Sequence, residues 1–245
     1  MSTVIAFSNQ KGGVGKTTSV VNMAAFCALA GKRTLVIDND PQGNASSVLA
    51  ERGMGTSIYE GGKPLKSSSQ ANLWIIPAGE DLIEQEARLS RKEGGHFVLR
   101  QAINALRADF DLILIDCPPN LSWLPTNAFL AADQLIVPLQ CEYFALEGLS
   151  QLLAFVDDQR SAGHTNIELA GILLTMFDLQ HALARQVADE VRRHFSTKTF
   201  VSVIPRDVSL AAAPSHGQTI LDYDPLSPGG LAYLAVTKEF INGLK

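Results

Sequence analysis

Cysteine is scarce in this sequence of 245 residues, which holds three: Cys27, Cys117 and Cys141. They are odd in number and lack paired spacing, so a disulfide framework is excluded and they read as reduced thiols of a cytoplasmic protein. No apolar run approaches the roughly 18 residues that span a membrane, which excludes a transmembrane helix. No signal peptide is expected, because the N-terminus enters an apolar strand almost at once. No internal repeat and no linker long enough to separate two units occurs, so residues 1–245 are expected to form one domain. The 46% hydrophobic content and the length suit a single α/β domain with a full core.

A general basic excess is also missing. Twenty Lys and Arg against 25 Asp and Glu leave a formal charge of −5, which excludes a protein that coats nucleic acid with its whole surface. A local patch remains open. Between Arg185 and Arg206, five basic residues (185, 192, 193, 198 and 206) face Asp189 and Glu190, a local +3. A smaller basic excess spans Arg88 to Arg100, where Arg88, Arg91, Lys92 and Arg100 face Glu93.

What the chain does contain is the stretch Asn9-Gln10-Lys11-Gly12-Gly13-Val14-Gly15-Lys16-Thr17-Thr18. The apolar run Val4 to Phe7 precedes it, and residues 20–29, apolar at helical spacing, follow it. It therefore reads as the turn between a buried strand and a helix. Gly12, Gly13 and Gly15 can take backbone angles closed to other residues, so successive N–H groups can converge on one anion. The helix that starts near Lys16 adds its positive end. Lys16 then reaches the β- and γ-phosphates of a nucleotide, and the Thr17 hydroxyl ligates Mg²⁺.

The rest of the chain alternates strand and helix. Strands are expected at 34–37, 73–76, 111–116, 134–139, 168–175 and 199–204, with 51–71 a surface connection carrying a short helical piece near 57–60. Helices are expected at 78–91, 97–106, 122–131, 145–160, 182–195 and 230–244, and 213–217 and 222–225 read as loops. Seven strands separated mostly by helices require a mainly parallel twisted sheet with helices on both faces. Two strands end in carboxylates. Asp38 and Asp40 follow the second, where an open α/β sheet binds ligands, although Asp40-Pro41 alone is also an ordinary turn. Asp116 follows four apolar residues, the Walker B arrangement that holds Mg²⁺ directly or through its water.

The second lysine of the loop carries a resemblance. Lys-Gly-Gly-x-Gly-Lys-Thr-Thr at residues 11–18 is similar to the deviant Walker A motif of the ParA/MinD family of P-loop ATPases, and Asp-x-Asp-Pro-Gln-Gly-Asn at 38–44 is met with its middle position free. Val203 to Arg206, Ala213 to Gly217 and Tyr223 to Pro225 resemble the C-terminal third of the ParA branch. The resemblance implies an Mg²⁺-dependent ATPase, slow and stimulated by an adaptor protein, that dimerises on ATP and positions a plasmid, a chromosome region or a protein cluster. It implies that Lys11, on its own merely a loop lysine, crosses to the partner's nucleotide. Asp40 would orient the attacking water, Asp38 support the Mg²⁺ shell, the segment 117–120 respond to the γ-phosphate, and Pro205, Arg206 and Asp207 lie by the adenine.

Nucleoid association through non-specific DNA is expected from the same resemblance, yet two arginines frequent in the branch are replaced here by Gln180 and Ser209. The DNA-facing candidates become Arg185, Arg192 and Arg193, extended by Lys198 and Arg206; a solvated helix face is the other reading of these residues. Two alternatives share the loop. MinD-type members end in an amphipathic membrane helix, whereas the last helix here has only Lys238 and Lys245 as basic residues. The nitrogenase iron protein bridges a cluster with two cysteines from each subunit. Cys141 stands near one such position, but Trp123 lies where the other would be.

Overall fold

The central strands of this protein are near-continuous apolar runs rather than alternating, because helices cover both faces of the sheet they build. The computed structural model describes residues 2–51, 53 and 55–244. Met1, Arg52, Met54 and Lys245, which belong to the 1–245 span, the 51–71 connection and the basic residues of the last helix, lie outside the described residues.

The elements run β1 (Thr3–Phe7), α1 (Lys16–Leu29), β2 (Thr34–Asp38), α2 (Asn44–Leu49), β3 (Leu65–Lys66), β4 (Leu73–Ile76), α3 (Leu82–Leu89), α4 (Val98–Leu106), β5 (Leu112–Asp116), α5 (Trp123–Ala131), β6 (Gln134–Gln140), α6 (Ala145–Ser161), β7 (Glu168–Thr175), α7 (Ala182–His194), α8 (Val208–Ala212), α9 (Ile220–Tyr223) and α10 (Pro228–Gly243). The strand order is β3-β4-β2-β5-β1-β6-β7, parallel except for β3. Along β1, Val4 and Ala6 join the core under α4, α5 and α6, while Ile5 and Phe7 join the core under α1 and α10. Each fully buried Val, Leu, Ile or Phe contributes about 1.5–3 kcal/mol, so the two-sided burial is the main support of the sheet.

Register places the chemistry. Phe7 pairs with Asp116, and Asp38 pairs with Asp116, so β1, β2 and β5 end level with one another. The loops after these strands share one edge of the sheet, where open parallel sheets bind ligands.

Several boundaries differ from the sequence expectation. Residues 199–204 are not a strand. Thr199 bridges Ile172 and Pro205 bridges Phe177, but between them the main chain leaves β7, with Val201 N and Ser202 N donating to the Glu239 carboxylate at 2.8 and 3.2 Å. The seventh strand is instead β3, inside the stretch read as a surface connection, and two residues are too few to show a pattern. The helix expected at 78–91 is confined to α3. Residues 213–216 and 220–223 form short helical turns rather than loops, and α8 carries no apolar periodicity long enough to read.

Candidate nucleotide site

The loop after β1 is bent by glycine where it must be. Gly13 (φ +72°) and Gly15 (φ +83°) are in the left-handed region, which other residues enter only with strain. Gly15 is also the N-cap of α1, and no side chain caps that end and no acid lies in the first turn. The first amides and the helix dipole are thus left for an anion supplied from outside.

The loop is anchored from three directions. Asn9 Nδ2 donates to Pro138 O at 2.8 Å while its Oδ1 accepts from Lys11 N at 3.0 Å. Thr175 Oγ1, at the end of β7, donates to Val14 O at 2.8 Å, and its methyl lies 3.8 Å from where a Cβ on Gly15 would stand. Ser19 Oγ donates to Gly15 O at 2.7 Å and lies 3.1 Å from the Tyr233 hydroxyl of α10.

Lys16 is buried, and its Nζ donates to Lys11 O at 2.9 Å. Burial lowers its pKa, opposed first by Asp116 and more weakly by Asp40. Asp116 is fully buried with neither carboxylate oxygen hydrogen-bonded. Burial and then Asp38 raise its pKa well above the usual range, while the nearby Thr17 hydroxyl and the Lys16 charge favour the ionised form. Asp38 is pushed up to about 6 by burial, although Ser46 N at 2.7 Å, Ser46 Oγ at 2.6 Å and Asp40 N at 3.2 Å donate to it. Asp40 Oδ1 accepts from Gln42 N at 2.9 Å.

An orphaned, buried carboxylate beside a threonine hydroxyl is the donor pair a cation would satisfy, and the lysine next to it suits the phosphate oxygens that would accompany that cation. The described residues contain no cluster of three or more His, Cys, Asp or Glu. Mg²⁺ requires no such cluster, because it keeps waters and takes phosphate oxygens. The residues therefore fit an Mg²⁺-bound phosphate chain.

A cleft of about 380 Å³ runs over the loop between Lys16, Thr17, Asp40 and Pro119. It continues past Gly15, Thr18 and Met176 into a cavity of about 170 Å³ walled by Pro205, Arg206 and Asp207. The Asp207 carboxylate is engaged within the protein, accepting from Ser209 N at 2.7 Å and Gly229 N at 2.6 Å. Met176 joins the two cavities, a placement that sequence reasoning missed. Its φ of +48° makes it the one non-glycine in the left-handed region among the described residues, a strain that tends to concentrate at functional sites.

Lys11 is not in the cleft. Its ammonium pairs with Glu142 after β6, and its side chain is 49% exposed. The basic candidates are not assembled into one patch. Arg185 donates to Leu179 O, Arg193 pairs with Glu190, and the half-buried Arg192 lies near Cys141. Lys198 lines a separate hollow with Gln134 and Glu168 at the starts of β6 and β7, whereas Arg206 stands at the opposite edge, beside the loop after β1. Cys117 and Cys141 are buried, and burial raises both thiols, Cys141 to about 11.

Residues 2–170 match the model of a family described as an AAA domain. The "Chromosome-partitioning ATPase Soj" of Thermus thermophilus is 45% identical over 240 residues, 96% of this chain and 94% of that one. The "Chromosome partitioning protein ParA" of Myxococcus xanthus is 43% identical over 247 residues, 97% of this chain and 87% of the other. Among solved structures, cobyrinic acid a,c-diamide synthase from Mycobacterium smegmatis, with bound ADP and magnesium, superposes with a TM-score of 0.83 at 30% identity, covering 99% of this chain and 95% of that one. Sheet, loop and buried carboxylates together define a P-loop ATPase. The chain belongs to the ParA/Soj family of partitioning ATPases.

Proposed function

We propose that this ATPase is a switch that dimerises on ATP, positions or segregates intracellular cargo over the nucleoid, and is reset when an adaptor protein stimulates hydrolysis. The observation that carries the reading is the placement of the two loop lysines. Lys16 is buried against its own loop, while Lys11 leaves that loop and reaches the surface at Glu142. A lysine directed away from its own phosphates is available to those of a second copy.

Within one subunit, the loop amides and Lys16 hold the β- and γ-phosphates of ATP, and Thr17 and Asp116 would hold Mg²⁺, with Asp38 supporting that shell. Mg²⁺ supplies positive charge against the phosphate oxygens when bound. Asp40, held by its bond to Gln42 N, orients the attacking water. The purine occupies the cavity at Pro205, Arg206 and Asp207. Arg185, Arg192, Arg193, Lys198 and Arg206 contribute separate phosphate contacts to DNA, which need positive charge but no base-reading geometry. No helix among the described residues is long and apolar enough to cross a membrane.

Light scattering with Mg²⁺ and ATP tests the switch. Asp40→Ala is expected to accumulate as a dimer without hydrolysis, and Lys11→Ala to remain monomeric while still binding ATP. Unchanged dimerisation of Lys11→Ala removes the role in trans. Titration with DNA at about 50 and 200 mM salt tests the surface: binding that needs ATP and weakens steeply with salt supports phosphate contacts, and no binding in any nucleotide state removes them.

A further inference from the structure

The middle residue of the Asp38-Asn39-Asp40 segment is free in the family pattern, yet here it is the most fully buried of the three. Asn39 is 0% exposed. Its backbone N–H donates to Asp116 O at 3.0 Å, its Nδ2 donates to Leu124 O at 2.9 Å, and its Oδ1 accepts from the Tyr59 hydroxyl at 2.9 Å. Two parts of the chain distant in sequence therefore meet on one buried side-chain amide, the first turn of α5 and the short turn Ile58–Glu60, while the residue's backbone N–H holds it to the end of β5. Tyr59 is itself buried and lies against Trp123, ring centroids 5.2 Å apart.

A buried amide is a poor means of gaining stability, because an apolar side chain of similar size would fill the space without hydrogen bonds to satisfy. What it supplies is a fixed relative position, since each bond is lost if either partner shifts by an ångström. The two elements it fixes have separate tasks in ATP hydrolysis. Asp40 follows Asn39 directly. Leu124 follows the segment 117–122, whose Pro119 lines the cleft.

We propose that Asn39 is a positioning residue that makes Asp40 and the segment leading into α5 move as one body, so that closure of this segment on a γ-phosphate sets the water-orienting carboxylate. Asn39 touches neither phosphate nor metal in this scheme and acts through its neighbours. The inference rests on the role of Asp40 proposed above, and the test separates the two.

The variant Asn39→Leu/Tyr59→Phe removes the amide together with its phenol partner, leaving no orphaned hydroxyl, while Tyr59→Phe alone keeps the bond to Leu124. Both are made in a Trp74→Phe background so that Trp123 is the sole tryptophan, and emission is followed on adding Mg²⁺ and ATP. The double variant is expected to lose about tenfold in kcat, about 1.4 kcal/mol, with the dissociation constant of a fluorescent ATP analogue within about twofold of the parent. The Trp123 response to ATP is expected to disappear with it, and Tyr59→Phe alone to keep that response and most of kcat. A parental kcat and Trp123 response in the double variant would overturn the proposal. So would a parental kcat at saturating ATP with only the ATP affinity weakened, since that is what a merely loosened core gives. Asp40→Ala run in parallel tests the underlying reading: hydrolysis at the parental rate removes Asp40 from the water while the Trp123 result still reports the coupling.

Discussion

The Lys16 ammonium donates to the main-chain oxygen of Lys11 at 2.9 Å, so the lysine at the helix start closes the loop back onto its beginning. The charge is buried and no carboxylate lies within ion-pair distance of it among the described residues; Asp116 and Asp40 act on it from further away. A phosphate chain placed over the loop gives this charge its missing partner. Lys16→Ala is expected to abolish the rise in melting temperature that Mg²⁺ and ATP confer, and to reduce hydrolysis by about 100-fold or more. Thermal melts with and without the nucleotide check the first, and phosphate release the second.

Asp38 gives a pH dependence whose sign is set by its burial. Its folded pKa of about 6 lies above the unfolded value of roughly 3.9, so between the two the folded chain keeps a proton that the unfolded chain has lost. Stability therefore falls as pH rises through this window, and the cost is fully present above it. Urea melts of the parent and of Asp38→Asn, taken from about pH 4.5 to 7 without Mg²⁺, should show the variant gaining on the parent by about 2 kcal/mol. A constant difference would mean that Asp38 does not titrate there.

Thr175 ties β7 to the loop through a single hydroxyl, donated to Val14 O at 2.8 Å. Val14 is buried, so removal of the donor leaves a carbonyl with neither protein nor water to replace it, at a cost of about 1–3 kcal/mol. Thr175→Val is expected to weaken ATP binding about tenfold, and Thr175→Ser to restore most of it. Isothermal titration of the two variants distinguishes the hydroxyl from the methyl that packs near Gly15.

The parts of this site that were legible in the sequence are the local ones. Gly13, Gly15, Lys16 and Thr17 act where they stand in the chain, and Asp38 and Asp116 follow apolar strands whose parallel pairing levels their ends. The features that were not legible depend on partners distant in sequence. Glu142 lies 131 residues from Lys11, and Leu124 lies 85 from Asn39. Asp207 reads as a nucleotide contact, and nothing in the sequence foretells that the amides of Ser209 and Gly229 also hold its carboxylate. Nothing in the sequence marks the left-handed backbone of Met176, because methionine is no sign of positive φ.

The ion pair between Lys11 and Glu142 joins side chains 49% and 47% exposed, so it contributes little to stability. It does hold Lys11 within its own subunit, so the proposed contact to a second copy would have to break it. In an Asp40→Ala background, Glu142→Gln should leave the unfolding free energy within about 0.5 kcal/mol while lowering the ATP concentration needed for half-maximal dimer. Light scattering across an ATP titration measures this, and an unshifted midpoint would show that the pair does not restrain Lys11.

Glu239 shapes the cavity walled by Pro205, Arg206 and Asp207 from the far side of the molecule. At Val201 and Ser202 the chain would continue as an eighth strand beside β7, but both N–H groups turn to the carboxylate on α10 instead. Val201 is left 83% exposed, and the chain rejoins the sheet edge at Ile204, whose N–H donates to Leu174 O at 2.9 Å. Pro205, Arg206 and Asp207 follow at once, so the carboxylate fixes where the cavity wall begins. Hydrogen bonds to a charged group are worth about 1.5–3 kcal/mol, so Glu239→Ala should destabilise the fold by about 2 kcal/mol in urea melts. Glu239→Gln, which keeps one acceptor, should cost about half as much. Because the displaced segment carries the cavity wall, Glu239→Ala should also raise the KM for ATP several-fold with little change in kcat. A stability loss with KM unchanged would mean that residues 201–204 and the Pro205 turn are held independently.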